Sequence, residues 1–198
     1  MLETLEHQGI AKLRQRLQTA DCVFDFVAYR VTGHATPDEE THRQALTGLF
    51  AQIDEREKQY WRELALREPK HLSYCEQQLA RKWAESTKIE DAKAHRLTPK
   101  EIETLVAKDS ELERAFRHPP SDTKLNAKDF ADWLNTLRMI PREGVEVLNW
   151  VGVWYKNPDS SNWSDYFDDG KEWWGIWCLT IYNPKQRTLS ALAASATD

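Results

Sequence analysis

Two short segments near the C-terminal end of the chain repeat one pattern of tryptophan, apolar residue, glycine, apolar residue and tryptophan. They are Trp150–Trp154 and Trp173–Trp177. Because side chains alternate between the two faces of a strand, both tryptophans and the glycine of each segment project from one face. Antiparallel pairing with Gly152 opposite Gly175 predicts four indole rings around a floor without side chains. The facing pairs are Trp150 with Trp177 and Trp154 with Trp173.

The linker between these segments, Asn157–Glu172, is itself rich in aromatic residues. It is longer than most hairpin loops, and loops of this length are usually functional or disordered. Its aromatic side chains stand among polar residues, which predicts that they pack back onto the sheet or dock a partner. The predicted partner-binding residues are therefore Trp150, Trp154, Trp163, Tyr166, Trp173 and Trp177.

The tryptophan cluster has two interpretations. In the first, helices cover both faces of the strands and the rings are core, as large aromatic side chains in a small domain usually are. In the second, one face stays partly open, and the indoles form a recognition surface for a protein, a cation, a sugar or a planar base. Both interpretations stay open at this point.

The first 140 residues carry helix signals. Thr36-Pro37 and Thr98-Pro99 each combine a capping hydroxyl with proline at the first helical position, and Asn126 is a further cap. Apolar residues then follow at helical spacing up to Glu68-Pro69, and a second helix begins directly afterwards. This predicts a helical hairpin joined at Pro69. Its apolar stripe at helical spacing consists of Leu46, Phe50, Ile53, Tyr60 and Leu64, then Leu72, Cys75, Leu79, Trp83 and Ser86.

Beyond Gly144 the pattern changes to strands. They are expected at Val145–Tyr155, Trp173–Tyr182 and Thr188–Ala194, with turn chemistry at residues 183–186. The run Cys22–Val31 fits a buried helix or a strand, and we favour a helix. The predicted fold is therefore α+β, with a mainly helical region over residues 1–140. A tryptophan-rich antiparallel sheet of about three strands follows over residues 141–198 and packs on it as one globular unit.

Charge and cysteine usage set broad limits. The net charge is −5, from 27 basic and 32 acidic residues, whereas a strong phosphate binder normally shows a basic patch or stripe. Three separated cysteines without CxxC spacing indicate a reducing compartment. No apolar run approaches the ~20 residues of a membrane span, and the start is too acidic for a signal peptide. We expect a soluble cytoplasmic protein without a membrane partner.

Catalytic and metal-binding patterns match poorly. Two Glu-x-x-His pairs, Glu39/His42 and Glu68/His71, resemble halves of a di-iron site, but Pro69 interrupts the second pair and further carboxylates are missing. His71 and Cys75 share a helix face without a third catalytic group. The chain contains no phosphate loop, dinucleotide motif, serine elbow or zinc spacing. We predict no catalytic residue, metal or cofactor.

The residues thus favour a non-enzymatic module that binds another protein, as a subunit, inhibitor or adaptor, through the tryptophan-rich sheet. A first alternative is a nucleic-acid-associated protein that combines indole stacking with basic residues around the Pro119-Pro120 break. The residues for that alternative are Arg114, Arg117, Lys124 and Lys128. A second alternative is an enzyme or small-ligand binder whose site is assembled from scattered residues. The sequence does not indicate an oligomeric state.

Overall fold

The computed structural model describes residues 1–6, 8–33, 35–80, 86–119, 125–139, 144–152, 158–171 and 175–196. These residues form a mixed helix and sheet fold, which confirms the α+β class. One antiparallel sheet has the strand order β1-β2-β6-β5-β4-β3. Its strands are β1 (Leu2–Thr4), β2 (Asp25–Val31), β3 (His95–Arg96), β4 (Glu146–Asn149), β5 (Ile176–Asn183) and β6 (Thr188–Ser195).

Helices cover both faces of this sheet. The helices of the fold include α1 (Gln8–Thr19), α2 (Glu39–Arg67), α3 (Leu72–Ala80), α4 (Pro99–Leu105), α5 (Glu111–Arg117) and α6 (Ala127–Thr136). One face packs against α1, α4, α5 and α6 around Phe116, Trp133 and Leu192. The other face packs against α2 and the linker around Leu49 and Phe167. Helices α2 and α3 pack against each other as the predicted hairpin.

Local capping chemistry sets the helix starts. Thr98 accepts a hydrogen bond from the Glu101 backbone N–H at 3.3 Å, and the Glu101 carboxylate accepts one from the Thr98 backbone N–H at 2.7 Å. Asn126 caps α6 in the same reciprocal way. At α2 the cap is Asp38 and not Thr36, because the Asp38 carboxylate accepts from the Thr41 backbone N–H at 2.9 Å. The helix therefore begins two residues later than the proline signal suggests.

The prediction of about three strands is wrong, because the sheet has six. Three of them, β1, β2 and β3, come from the first 140 residues, which are therefore not only helical. The preference for a helix over residues 22–31 is also wrong, since Asp25–Val31 is strand β2 and pairs with both β1 and β6. A strand buried on both faces carries a continuous apolar run, and periodicity does not separate such a run from a buried helix.

Gly170 lies at a close approach between the linker and the end of the sheet. Its backbone N–H donates to Ser195 Oγ at 3.0 Å, and its carbonyl accepts from the Gly175 N–H at 2.8 Å. A Cβ atom at this position would lie 2.5 Å from the Gly175 carbonyl oxygen and 2.7 Å from Ser195 Oγ. The linker can therefore dock on the sheet only with glycine here.

We predict that Gly170→Ala lowers the free energy of unfolding by about 1–3 kcal/mol, because the added methyl group meets backbone that cannot move without losing these hydrogen bonds. Urea unfolding measures this. Gly33→Ala is the control: nothing lies within 4 Å of the position that its methyl group would take, so only its positive φ of 88° carries a cost, about 1 kcal/mol. Equal stability of Gly170→Ala and the wild type would contradict the close approach.

Candidate functional site

The strand pairing differs by one residue from the pairing that the tryptophan pattern predicts. Leu148 pairs with Thr180 and Asn149 with Leu179, and the Trp150 backbone N–H donates to the Cys178 carbonyl at 2.9 Å. Trp150 is therefore opposite Cys178, and the predicted pairing with Trp177 is wrong. A shift of one residue moves every side chain of a strand to the other face of the sheet.

Trp150 and Trp177 consequently lie on opposite faces. Trp150 is completely buried in the core under α2. Trp177 is half-buried on the α1 face, where its ring lies 5.7 Å from that of Phe24. Strand β4 ends at Asn149, whose side-chain oxygen accepts from the backbone N–H groups of Val151 and Gly152, both at 3.1 Å. This turn prevents the regular strand on which the prediction depended. Trp154 and Trp173 lie outside the described residues.

The aromatic residues of the linker pack back onto the protein. The rings of Trp163, Tyr166 and Phe167 surround Phe50 of α2, with centroid distances of 5.5, 5.5 and 6.2 Å. Trp163 is 5% exposed, and its Nε1–H donates to the Trp150 carbonyl at 3.0 Å. Trp150, Trp163 and Tyr166 are thus brought together as core beneath α2, and only Tyr166 keeps partial exposure.

The basic residues of the nucleic-acid alternative are divided between two helices. On α5, Arg114 is exposed, whereas Arg117 pairs with Glu113 at 3.3 Å. On α6, Lys128 pairs with Asp132 at 2.7 Å. Lys124 lies outside the described residues. Two of these four positive charges are therefore balanced by a carboxylate one helical turn away.

A buried polar chain joins α2 to the sheet. Thr180 Oγ1 accepts from Trp150 Nε1–H at 2.9 Å and lies 2.7 Å from Nδ1 of His42. The Thr180 hydroxyl can therefore donate to a neutral imidazole, whose Nε2 lies 4.0 Å from the Glu146 carboxylate. Burial, with the positive charge of Arg96, lowers the pKa of His42 to about 4. His42 is completely buried, so this chain holds α2 on the sheet.

A second buried charge lies further along α2. The Asp25 carboxylate of β2 pairs with Arg56, and it is 6% exposed. Burial raises the pKa of Asp25 to about 6, which outweighs the lowering by Arg56 and by the Tyr166 hydroxyl. Burial lowers the pKa of Arg56, but the attraction of Asp25, Tyr166 and Glu57 together raises it by more, so the guanidinium group stays charged. The pair ties the middle of α2 to the start of β2.

The two Glu-x-x-His pairs cannot share a metal ion. Glu39 and His42 lie in the first turn of α2, whereas Glu68 and His71 follow its last residue. The 26 residues of α2 from His42 to Arg67 alone span about 39 Å of helix. Among the residues that the structure describes, no group of three or more His, Cys, Asp or Glu side chains is arranged to hold a metal ion.

The end of the helical hairpin, formed by α2 after Ile53 and by α3, extends beyond the sheet and exposes apolar side chains. The last buried residue of α2 is Ile53, and no residue from 57 to 67 is buried. About 20 Å of helix therefore extends past the sheet, with α3 packed along it. Of the five large apolar side chains that are exposed in the described part of the chain, four lie here. They are Tyr60 (50% exposed), Leu66 (84%), Leu72 (47%) and Tyr74 (52%).

The exposed rings are connected across the hairpin. Trp61 is half-buried and contacts Tyr60 and Tyr74 edge to face, at centroid distances of 4.9 and 5.5 Å. These three aromatic residues with Leu66 and Leu72 are called the hairpin patch below. Tyr60 and Leu72 belong to the apolar stripe that the sequence shows, yet both are exposed, because the sheet ends before the helix does. Trp83 of the same stripe lies outside the described residues. The length of α2 was the available signal for this surface.

The pKa values of the two buried groups predict opposite effects of pH on stability. The pKa of His42 falls from 6.5 to about 4 on folding, so its contribution to the free energy of unfolding rises between pH 4 and 6.5. The pKa of Asp25 rises from 3.8 to about 6, so its contribution falls between pH 3.8 and 6. Each contribution amounts to about 3 kcal/mol, and in the wild type they largely cancel.

Replacing either residue alone should reveal the contribution of the other to the pH dependence of the free energy of unfolding. Relative to the wild type, Asp25→Asn should gain about 3 kcal/mol of stability as the pH rises from 4 to 6.5, because the penalty of the buried carboxylate is absent. His42→Gln should lose a similar amount over the same range. Urea unfolding at pH 4, 5, 6 and 7 measures both. Parallel profiles for the three proteins would contradict the assignment.

In the described part of the chain, no helix combines the length and the apolar character that are needed to cross a bilayer. No known protein family matches the sequence, and no curated protein matches it significantly.

Proposed function

We propose that this protein is a non-enzymatic interaction module that binds another protein through its projecting helical hairpin. The observation that carries the proposal is the aromatic part of the hairpin patch, where Tyr60, Trp61 and Tyr74 contact one another beyond the edge of the sheet. Scattered apolar residues are normal on a soluble protein, but a contiguous exposed patch marks an interaction surface. Tryptophan and tyrosine are also the residues most enriched among interface hot spots.

The shape of the hairpin supports a protein partner. The contacting rings of Tyr60, Trp61 and Tyr74 span α2 and α3, and such an aromatic ridge fits an apolar groove or an amphipathic helix of the partner. The aromatic rings are held in place by each other, so binding orders few side chains and costs little conformational entropy. Part of the ridge is thus rigid before a partner arrives.

The charges of the hairpin indicate which partner chemistry it suits. Residues 54–80 carry six acidic and five basic side chains. Several are paired within the hairpin: Glu55 with Arg62 at 3.0 Å, Glu68 with Lys70 at 3.6 Å, and Asp54 with Lys58. Internally balanced charges provide little attraction for a highly charged partner such as a nucleic acid. We therefore expect an apolar partner surface with a mixed-charge rim and binding that depends weakly on salt.

The test begins with identification of the partner by photocrosslinking. A photoreactive phenylalanine analogue at Leu66 should give a covalent adduct with one protein of the native host. The same analogue at Lys108, an exposed position between α4 and α5, is the control and should give none. The crosslinked protein is then purified for affinity measurements at low and high salt.

We predict that Tyr60→Ala with Tyr74→Ala weakens this partner's binding more than about 30-fold, the loss of a typical hot spot. Gln59→Ala with Gln77→Ala is the matched control, since it shortens exposed neighbours on the same two helices and should leave the affinity unchanged. Thermal unfolding should barely change in either variant. Unchanged affinity after removal of both tyrosines would refute the proposal, and a crosslink only to a second copy would replace the partner with this chain itself.

A further inference from the structure

A second surface site, away from the hairpin, lies where α1 and the end of α6 meet strands β2 and β6. A groove of about 360 Å³ is lined there by Arg30, Thr136, Arg138, Gln186 and Thr188, with apolar side chains beside them. A larger groove of about 600 Å³ shares Thr136 and Arg138 with it and continues between α1 and α6. The smaller groove has the volume of a small-molecule site.

The floor of the smaller groove carries a polar atom that the fold leaves unused. Thr188 is only 6% exposed, and its Oγ1 has no hydrogen-bond partner among the described residues. Ser190, two residues further on the same face of β6, also has a buried hydroxyl without a partner. A buried hydroxyl without a hydrogen bond destabilises a protein, and such groups in native structures call for an explanation. A ligand in the groove would provide the missing partner for Thr188.

Two arginine side chains lie in the same lining. Arg30 is the direct neighbour of Thr188 across the β2–β6 pair, and Arg138 follows the end of α6. Within the part of the chain that the structure describes, neither guanidinium group forms a hydrogen bond or an ion pair. Glu3, which is opposite Arg30 on β1, is the nearest acidic residue in the sheet register, and the two side chains do not form a salt bridge. Both arginines are therefore available to an anion.

The backbone at Arg138 has a conformation in which a side chain costs stability. Residue 138 closes α6 in a Schellman motif, with the Arg138 N–H donating to Asn135 and the Met139 N–H donating to Leu134, both at 3.1 Å. This position has a φ of 60°, which favours glycine. The chain carries arginine instead, and its side chain is common to both grooves. Asn183 Nδ2 anchors the turn by donating to the Arg138 carbonyl at 3.0 Å.

We propose that the smaller groove binds the oxyanion group of a small molecule, a phosphate monoester or a carboxylate. Guanidinium groups bind both kinds of oxyanion through paired, charge-assisted hydrogen bonds. Arg30 and Arg138 supply the positive charge, Thr188 Oγ1 supplies a buried donor, and Gln186 supplies an amide. The remainder of the ligand extends into the larger groove, past the shared Thr136 and Arg138.

The larger groove argues against a polynucleotide as the ligand. Its basic residues include Arg16 and Lys128, which pair with Asp129 at 3.0 Å and with Asp132 at 2.7 Å. A phosphate backbone that followed this groove would meet these two carboxylates and be repelled by them. A single anionic group placed in the smaller groove avoids them.

The test uses the full chain, with inorganic phosphate and malonate titrated separately at constant ionic strength. The readouts are the NMR signals of the Arg30 and Arg138 Nε–H groups and the thermal unfolding temperature. At least one anion should shift both signals saturably and raise the unfolding temperature. The anion that binds more tightly identifies the ligand class. A thymidine decanucleotide is titrated in parallel.

Three variants and one control make the test specific. Arg138→Gly, Thr188→Val and Arg30→Met should each weaken anion binding about tenfold or more, the loss of a charge-assisted or buried hydrogen bond. Arg138→Gly and Thr188→Val should be at least about as stable as the wild type, because one removes an unfavourable φ and the other an unpaired hydroxyl. Lys108→Ala, which removes an exposed charge elsewhere, should bind like the wild type.

Stable variants with lost binding would establish the site, since a merely structural role of these residues predicts lost stability instead. Absence of a saturable shift with both anions would overturn the proposal. So would unchanged binding in Arg138→Gly, or equal weakening in Lys108→Ala. Binding of the decanucleotide alone would replace the small-molecule ligand with a nucleic acid.

Discussion

The architecture depends on the burial of β5 and β6 on both faces. Every residue from Cys178 to Asn183 is buried, and so is every residue from Thr188 to Ala194. A strand pair of this kind is stable only between two apolar layers, so α1 with α4 to α6 must cover one face and α2 with the linker the other. Alanine and serine dominate β6, which lets the covering helices approach closely. The positions of both surface sites follow from this layering.

Local signals in the sequence predicted the helices well, because a cap needs only the residues beside it. Thr98 and Asn126 begin helices as their chemistry indicates, and Pro69 separates α2 from α3. The strands β1 and β3, with three and two residues, are too short to show a period. The register of β4 could not be deduced either, because the turn at Asn149 competes with the tryptophan pattern and ends the strand.

The same limits apply to function. The aromatic cluster was visible in the sequence, but whether Trp150 is core or surface depends on a register that only the folded sheet defines. Tyr60 continues the apolar spacing of the buried half of α2, so spacing does not distinguish the exposed half of the helix from the buried half. The length of α2 does distinguish the two halves. The helix between Asp38 and Glu68 is about 43 Å long, whereas an eight-residue strand spans about 26 Å. Part of such a helix has no sheet beneath it.

The pairing of β2 with β6 also has a consequence for synthesis of the chain. Asp25 pairs with Ala193, so about 170 residues separate two neighbours in the sheet. Contacts this distant in sequence slow folding, since the loop must close before they form. At 5–20 residues per second, a ribosome needs on the order of 10–30 s to make the intervening segment. During that interval the apolar run of β2 has no β6 to pair with, and its unpaired edge is exposed to aggregation.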